Sequence, residues 1–167
     1  GGDPGPGSGA TTNEEWNGTG WTEVANVNAG RQFATGCGTA TASLFMGGDP
    51  GPTQLVEEFN GTSWTEVGDT NNGHDYTGSS GTTSTAMIYG NGYNTPTSQK
   101  TESWDGTAWT EQSEYSQEHG SAGTTRTSAS AAAYFAGYGA GVPPGSKGGS
   151  CEEWSYDDYA VQTVTTS

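Results

Sequence analysis

Two short patterns alternate along the chain. One is an apolar run closed by glycine: Ser43-Leu44-Phe45-Met46-Gly47-Gly48, then Ala86-Met87-Ile88-Tyr89-Gly90-Asn91, then Ala133-Tyr134-Phe135-Ala136-Gly137-Tyr138. The other places aromatic residues on either side of a turn dipeptide: Glu14-Glu15-Trp16-Asn17-Gly18-Thr19-Gly20-Trp21-Thr22-Glu23-Val24. It returns over 57–67 with Phe59 and Trp64, and over 102–112 with Trp104 and Trp109. A worn fourth copy carries Trp154 and Tyr159. The second aromatic advances from Trp21 to Trp64, Trp109 and Tyr159 in steps of 43, 45 and 50. Self-similarity at such a period marks a repeat architecture with a unit of about 45 residues.

Each unit predicts four short strands. Asn-Gly and Asp-Gly favour the positive backbone angles of a two-residue type I′ turn, so 16–21 and its copies predict tight hairpins. The run before the glycines predicts the innermost strand of the unit, apolar on both faces. The Thr/Gly/Ala-rich stretch ahead of it, for example 33–41, predicts a strand in a crowded position. No segment carries a capped 3.6-residue periodicity, so essentially no helix is expected. From the glycine to the first hairpin aromatic the count runs 15, 12, 14 and 17, so one loop varies on a constant framework. The expected division is a partial repeat over 1–28, repeats over 29–73 and 74–119, and a degenerate repeat over 120–167. These make one continuous all-β repeat domain of about three and a half units, or 14 strands.

Composition sharpens this picture. Leu, Ile, Val and Phe together number 14 of 167 residues and the net charge is −15. Such values ordinarily accompany disorder, because too little apolar surface offsets chain entropy. Six Trp and eight Tyr tip the balance towards order. Aromatics bury a large area each, and here they recur at fixed spacing, so a lean core is expected. A lean core predicts marginal stability for an isolated copy, with other repeats or subunits as partners. Four basic residues against 19 acidic ones leave no footprint for nucleic acid or for an anionic membrane surface. No run of 18 apolar residues is present, so no membrane insertion is expected. Gly1 carries neither an initiator Met nor a signal-like apolar stretch, so a processed end or the interior of a longer chain is the expected setting.

The four-stranded unit, with Gly-Gly after an apolar strand and then two spaced aromatics, resembles the kelch repeat of β-propellers. Kelch units place a Tyr about six residues before the Trp; here the spacing is five, as in Trp16/Trp21, and the doublet is intact only at Gly1-Gly2 and Gly47-Gly48. The pattern is also similar to the kelch-like repeat arrays of marine bacteriophage structural proteins, including tail fibres and other virion appendages. That resemblance spans nearly the whole chain and implies architecture and an extracellular or virion-surface location, not chemistry. Propellers typically have four to eight blades, so three and a half units imply part of a larger ring, an inter-subunit closure or another way of stacking.

The candidate sites divide between scaffold and ligand. Trp16, Trp21, Phe59, Trp64, Trp104, Trp109, Trp154 and Tyr159 are the expected structural anchors. Ten residues after each hairpin Trp stands a basic-type side chain, Arg31, His74 or His119. In kelch-like units an Arg near this place supports packing between blades, and that role is expected for all three; a convergent anion or metal site is the alternative. Glu14/Glu15, Glu57/Glu58 and Glu152/Glu153 recur with the scaffold and predict a solvated strand edge that discourages stray pairing. Asp3-Pro4-Gly5-Pro6 and Asp49-Pro50-Gly51-Pro52 predict rigid turns in preference to calcium loops. Asn17 and Asn60 open glycosylation sequons, but Asp105 at the third copy keeps the turn and removes the acceptor. Cys37 and Cys151 leave a disulfide and two separate core thiols both open. Tyr93, Tyr138 and Tyr156 in the variable loops are the candidate ligand-binding residues, suited to sugar rings.

No nucleophile elbow, phosphate loop or His-Glu-x-x-His occurs, and no cofactor or metal is expected. The expected function is a non-catalytic structural or adhesion component of an extracellular assembly, most simply a phage tail fibre or other virion appendage. A carbohydrate-binding propeller module, with a surface glycan as partner, is the second reading. A copper-dependent oxidase of kelch type is the third and remotest.

Overall fold

The computed structural model describes residues 9–51, 53–83, 85–89, 99–114, 123–124, 131–135, 151–155 and 162–164. The described residues form an all-β chain without helix. A two-stranded hairpin, β1 (Asn13–Trp16) and β2 (Trp21–Val24), comes first. Three four-stranded antiparallel sheets follow. The first holds β3 (Thr35–Thr39), β4 (Ala42–Met46), β5 (Val56–Phe59) and β6 (Trp64–Glu66) in chain order. The second holds β7 (Gly78–Gly81), β8 (Ala86–Tyr89), β9 (Thr101–Trp104) and β10 (Trp109–Glu111) in the same order. The third holds β11 (Gly123–Thr124), β12 (Ala131–Phe135), β13 (Cys151–Ser155) and β14 (Gln162–Val164).

The first strand of each sheet meets its neighbours: β3 packs on β7, and β7 on β11. This corrects the expectation that the apolar strand is innermost. The apolar β4 is instead paired on both sides, by β3 and β5, where its Leu44 and Met46 enter the core and its Phe45 faces the other way. The strands that meet across sheets are those made of small residues, because two backbones approach closely there. All of Gly78-Ser79-Ser80-Gly81 is buried, and Thr35 Oγ1 lies 2.8 Å from Ser79 Oγ across the boundary. Gly38 and Gly81, 43 positions apart, take φ of 109° and 118° where the strand turns back. A Cβ at either would meet a carbonyl oxygen, that of Ala42 or of Thr85, so only glycine fits.

The core is thin and aliphatic, with two tryptophans. Leu44, Met46, Val56, Ala86, Ile88, Trp104 and Trp109 form one buried cluster with Cys37. Paired hairpin aromatics contact across strands in each of the first three hairpins: Trp16/Trp21 at 5.5 Å between ring centroids, Phe59/Trp64 at 5.0 Å and Trp104/Trp109 at 5.4 Å.

The hairpin turns differ from a type I′ turn. Four residues separate the paired aromatics, and of these only the first glycine has positive φ, 98° at Gly18, 91° at Gly61 and 94° at Gly106. The preceding Asn or Asp keeps an ordinary backbone and turns its side chain inward. Asn60 Oδ1 accepts the Thr62 and Ser63 N–H groups at 2.9 Å each, and Asp105 Oδ1 does the same for Thr107 and Ala108. Self-capping of this kind is what Asn and Asp offer a turn.

Candidate functional site

Glu57 sits on β5 between buried Val56 and half-buried Glu58, and is itself only 2% exposed. The connection from β2 to β3 wraps over it. That connection is fixed at two points, by Val27 N–H on the Thr11 carbonyl and by the Trp64 indole N–H on the Ala25 carbonyl at 2.9 Å. So held, it presents four donors. The backbone and side-chain N–H of Asn28 reach Glu57 Oε2 at 2.7 and 2.9 Å. The Ala29 N–H and an Arg31 guanidinium N–H reach Oε1 at 3.2 and 2.6 Å. Arg31 also donates to the Phe45 carbonyl and lies 4.3 Å from the centre of the Phe45 ring.

The next unit repeats the arrangement. Glu102 on β9 accepts from the backbone and side chain of Asn71 at 2.7 and 2.8 Å, and from those of Asn72 at 2.8 and 3.1 Å. His74 replaces Arg31, its Nε2 3.0 Å from Glu102 Oε1 with both side chains wholly buried. The Trp109 indole donates to the Gly68 carbonyl as Trp64 does to Ala25. His74 also fastens backward: its carbonyl accepts the Gly48 N–H at 2.7 Å and its N–H donates to the Thr53 carbonyl. One residue thus joins the loop beyond β4 to the following sheet.

The expectation of a solvated edge therefore fails for Glu57, and Glu102 is a site residue that sequence reasoning missed. An isolated buried carboxylate costs several kcal/mol of desolvation. Here the converging donors overturn it. Burial pushes the Glu57 carboxyl up, but the Asn28 N–H, Arg31 and the Ala29 N–H outweigh that and hold it below the usual range. At Glu102 burial is outweighed by His74 and the Asn71 and Asn72 donors, which draw its carboxyl down to about 2. Burial lowers the Arg31 guanidinium against the opposing pull of Glu57. Buried carboxylates so fully bonded act as fasteners.

The first hairpin carries the same receptor without the loop. Glu14 and Trp21 stand where Glu57 and Trp64 stand one unit later, yet Glu14 is exposed and Trp21 is 66% exposed. Trp16, the counterpart of buried Phe59, is 48% exposed. Thr12, Asn13, Glu14 and Trp21 line an open groove of about 400 Å³ at this place. Among the described residues no strand pairs with the other edge of β1, whereas β5 and β9 each have a partner there, β4 and β8.

No family model matches the chain, and no curated protein matches it significantly. The site is thus defined by its own internal comparison.

The remaining candidates are placed as follows. Trp104 is buried with its indole N–H on the Thr83 carbonyl at 3.0 Å. Trp154 falls in β13 opposite Ala132. Asp49 accepts from Gln32 and the Gly51 N–H, a closed turn. Cys37 is buried in the core cluster. Tyr93, Tyr138, Tyr156, Tyr159, His119, Gly1-Gly2 and Asp3-Pro4-Gly5-Pro6 lie outside the described residues. No group of three potential metal-ligating side chains occurs among the described residues. Sequence reasoning also missed an aromatic pair: Phe33 and Tyr76, 43 positions apart, both take positive φ, 56° and 48°, and their rings stack at 4.0 Å. A bulky residue in that backbone region is rare, and the offset of 43, equal to the repeat step, was the available signal.

Proposed function

We propose that the chain is a non-catalytic structural element, built to be tiled, in an extracellular assembly such as a virion appendage. The observation that supports this most directly is the recurrence of one carboxylate fastener, Glu57 under Asn28, Ala29 and Arg31, then Glu102 under Asn71, Asn72 and His74. The chemistry of these buried charges is spent on clamping the connection that leaves one sheet onto the sheet that follows. Each carboxylate is saturated by donors and holds no position open to a substrate. A blade-like arrangement, with small-residue strands β3, β7 and β11 side by side, suits the same purpose, as does the kelch-like pattern of the sequence. The strongly acidic composition suits solubility in salt water, where screening limits self-repulsion.

Thermal melting followed across a hundredfold range of chain concentration, with sedimentation at each step, tests the proposal. The expected result is early melting of the dilute chain and a melting temperature that climbs as copies associate. A dilute monomer of high, concentration-independent melting temperature overturns it.

A further inference from the structure

We infer that the groove and open edge of the first hairpin form a docking surface for a segment of this chain's own repeat pattern. The occupant is an Asn-x-x-Arg or Asn-x-x-His loop followed by a small-residue strand and an apolar strand, as in residues 25–46. This rests on the assembly reading and names the partner chemistry it requires.

The inference follows from one surface seen three times, twice covered and, among the described residues, once bare. On β5–β6 the cover has three parts. The Ala25 carbonyl receives the Trp64 indole, the loop over Asn28, Ala29 and Arg31 fills the Glu57 carboxylate, and β4 pairs along β5. On β9–β10 the parts are the Gly68 carbonyl, the loop over Asn71, Asn72 and His74, and β8. On β1–β2 every receiving group is in place. Glu14 pairs across to Glu23 in the register in which Glu57 pairs to Glu66 and Glu102 to Glu111. Trp16 and Trp21 touch as Phe59 and Trp64 do. The groove lined by Asn13, Glu14 and Trp21 stands where the other units hold the asparagine loop.

The chemistry selects the occupant. An exposed carboxylate beside an indole N–H calls for consecutive backbone N–H groups, a carboxamide and a cation on one side and a carbonyl on the other. An open strand edge calls for an extended chain. A two-stranded ribbon by itself is marginal in water, so adding an apolar strand to β1 stabilises both partners. Pairing β1 with β1 of a second copy would set Glu14 and Glu15 against their counterparts in a chain of net charge −15, and like charges facing one another disfavour it.

The test uses the full chain, 15N-labelled at its indoles and dilute enough to be monomeric, with the Trp21 signal assigned through Trp21→Phe. A synthetic peptide of residues 25–46 is titrated in. The expected result is at least tenfold slower exchange of the Trp21 indole N–H, towards the rates of Trp64 and Trp109 in the same sample. Peptide carrying Asn28→Ala and Arg31→Ala, or chain carrying Glu14→Gln, binds at least tenfold more weakly. Joining the peptide ahead of Gly1 through a flexible linker raises its local concentration to millimolar, so absence of protection in that form overturns the inference. Protection of Trp21 on concentrating the chain alone overturns it too, by giving the surface to a second copy. Because the chain is kept monomeric, failure of self-association and failure of docking are read separately.

Discussion

His74 Nε2 and Glu102 Oε1 meet at 3.0 Å with neither side chain exposed to water, in the place where Arg31 meets Glu57 one unit earlier. The carboxylate and one asparagine, Asn28 or Asn71, stay while the basic-type partner changes from a guanidinium to an imidazole. The carboxylate, not that partner, is therefore the fixed part of the joint.

Replacing Glu102 by Gln should cost about 3 kcal/mol or more, since its amide nitrogen turns a donor towards donors and strands either the Asn71 pair or those of Asn72 and His74. Glu57→Gln should behave alike, and exposed Glu23→Gln should stay within about 0.5 kcal/mol. Urea melts of the three variants give the comparison; equal midpoints would refute it.

Acid should release the joint over a defined range. The folded Glu102 carboxyl lies at about 2 against an ordinary 4.5, so the unfolded chain takes up the proton first as pH falls. The contribution is complete above about pH 4.5 and fades as pH drops towards 2, and the gap of some 2.5 units amounts to about 3 kcal/mol. The stability difference between the parent chain and Glu102→Gln should shrink across that window. A difference that is flat from pH 6 to 2.5 would count against it.

Gly81→Ala should destabilise by about 2–4 kcal/mol, combining positive φ with a Cβ driven into the Thr85 carbonyl. Gly18→Ala shares the backbone angle but has nothing within 4 Å of the new methyl, so about 1 kcal/mol is expected. Calorimetry of the pair separates crowding from conformation.

Asn60→Ala removes the oxygen that closes the second hairpin turn and should cost about 1 kcal/mol, while Asn60→Asp should stay within about 0.5 kcal/mol. Loss of stability in the Asp variant equal to that in the Ala variant, seen in the same melts, would show that the amide nitrogen matters.

The hairpins and their aromatic pairs were legible because turn dipeptides and period-two alternation are local signals. So was the tiling, since Trp21, Trp64 and Trp109 mark a near-constant spacing. The surroundings of those three rings were not: Trp109 is buried and Trp21 exposed, because cover comes from another part of the chain. Buried Glu57 was illegible for the same reason. A Glu-Glu pair on a strand looks solvent-facing until a distant loop supplies Asn28, Ala29 and Arg31. The turn class escaped because Asn-Gly serves two geometries, and only the pairing of Trp16 with Trp21 across four residues selects between them. The small-residue strands were read as crowded, correctly, but their place at the boundary between sheets depends on how β3 meets β7.

Beside a backbone bond to Ser63 or Ala108, the turns close through Oδ1 of the side chain, with no part for its other terminal atom, at Asn60 as at Asp105. Asparagine is among the chemically labile side chains, and hydrolysis of its amide to the carboxylate would turn Asn60 into the residue that the third hairpin already carries. Conversion to aspartate itself at these tips would add negative charge and keep the closing Oδ1 in place.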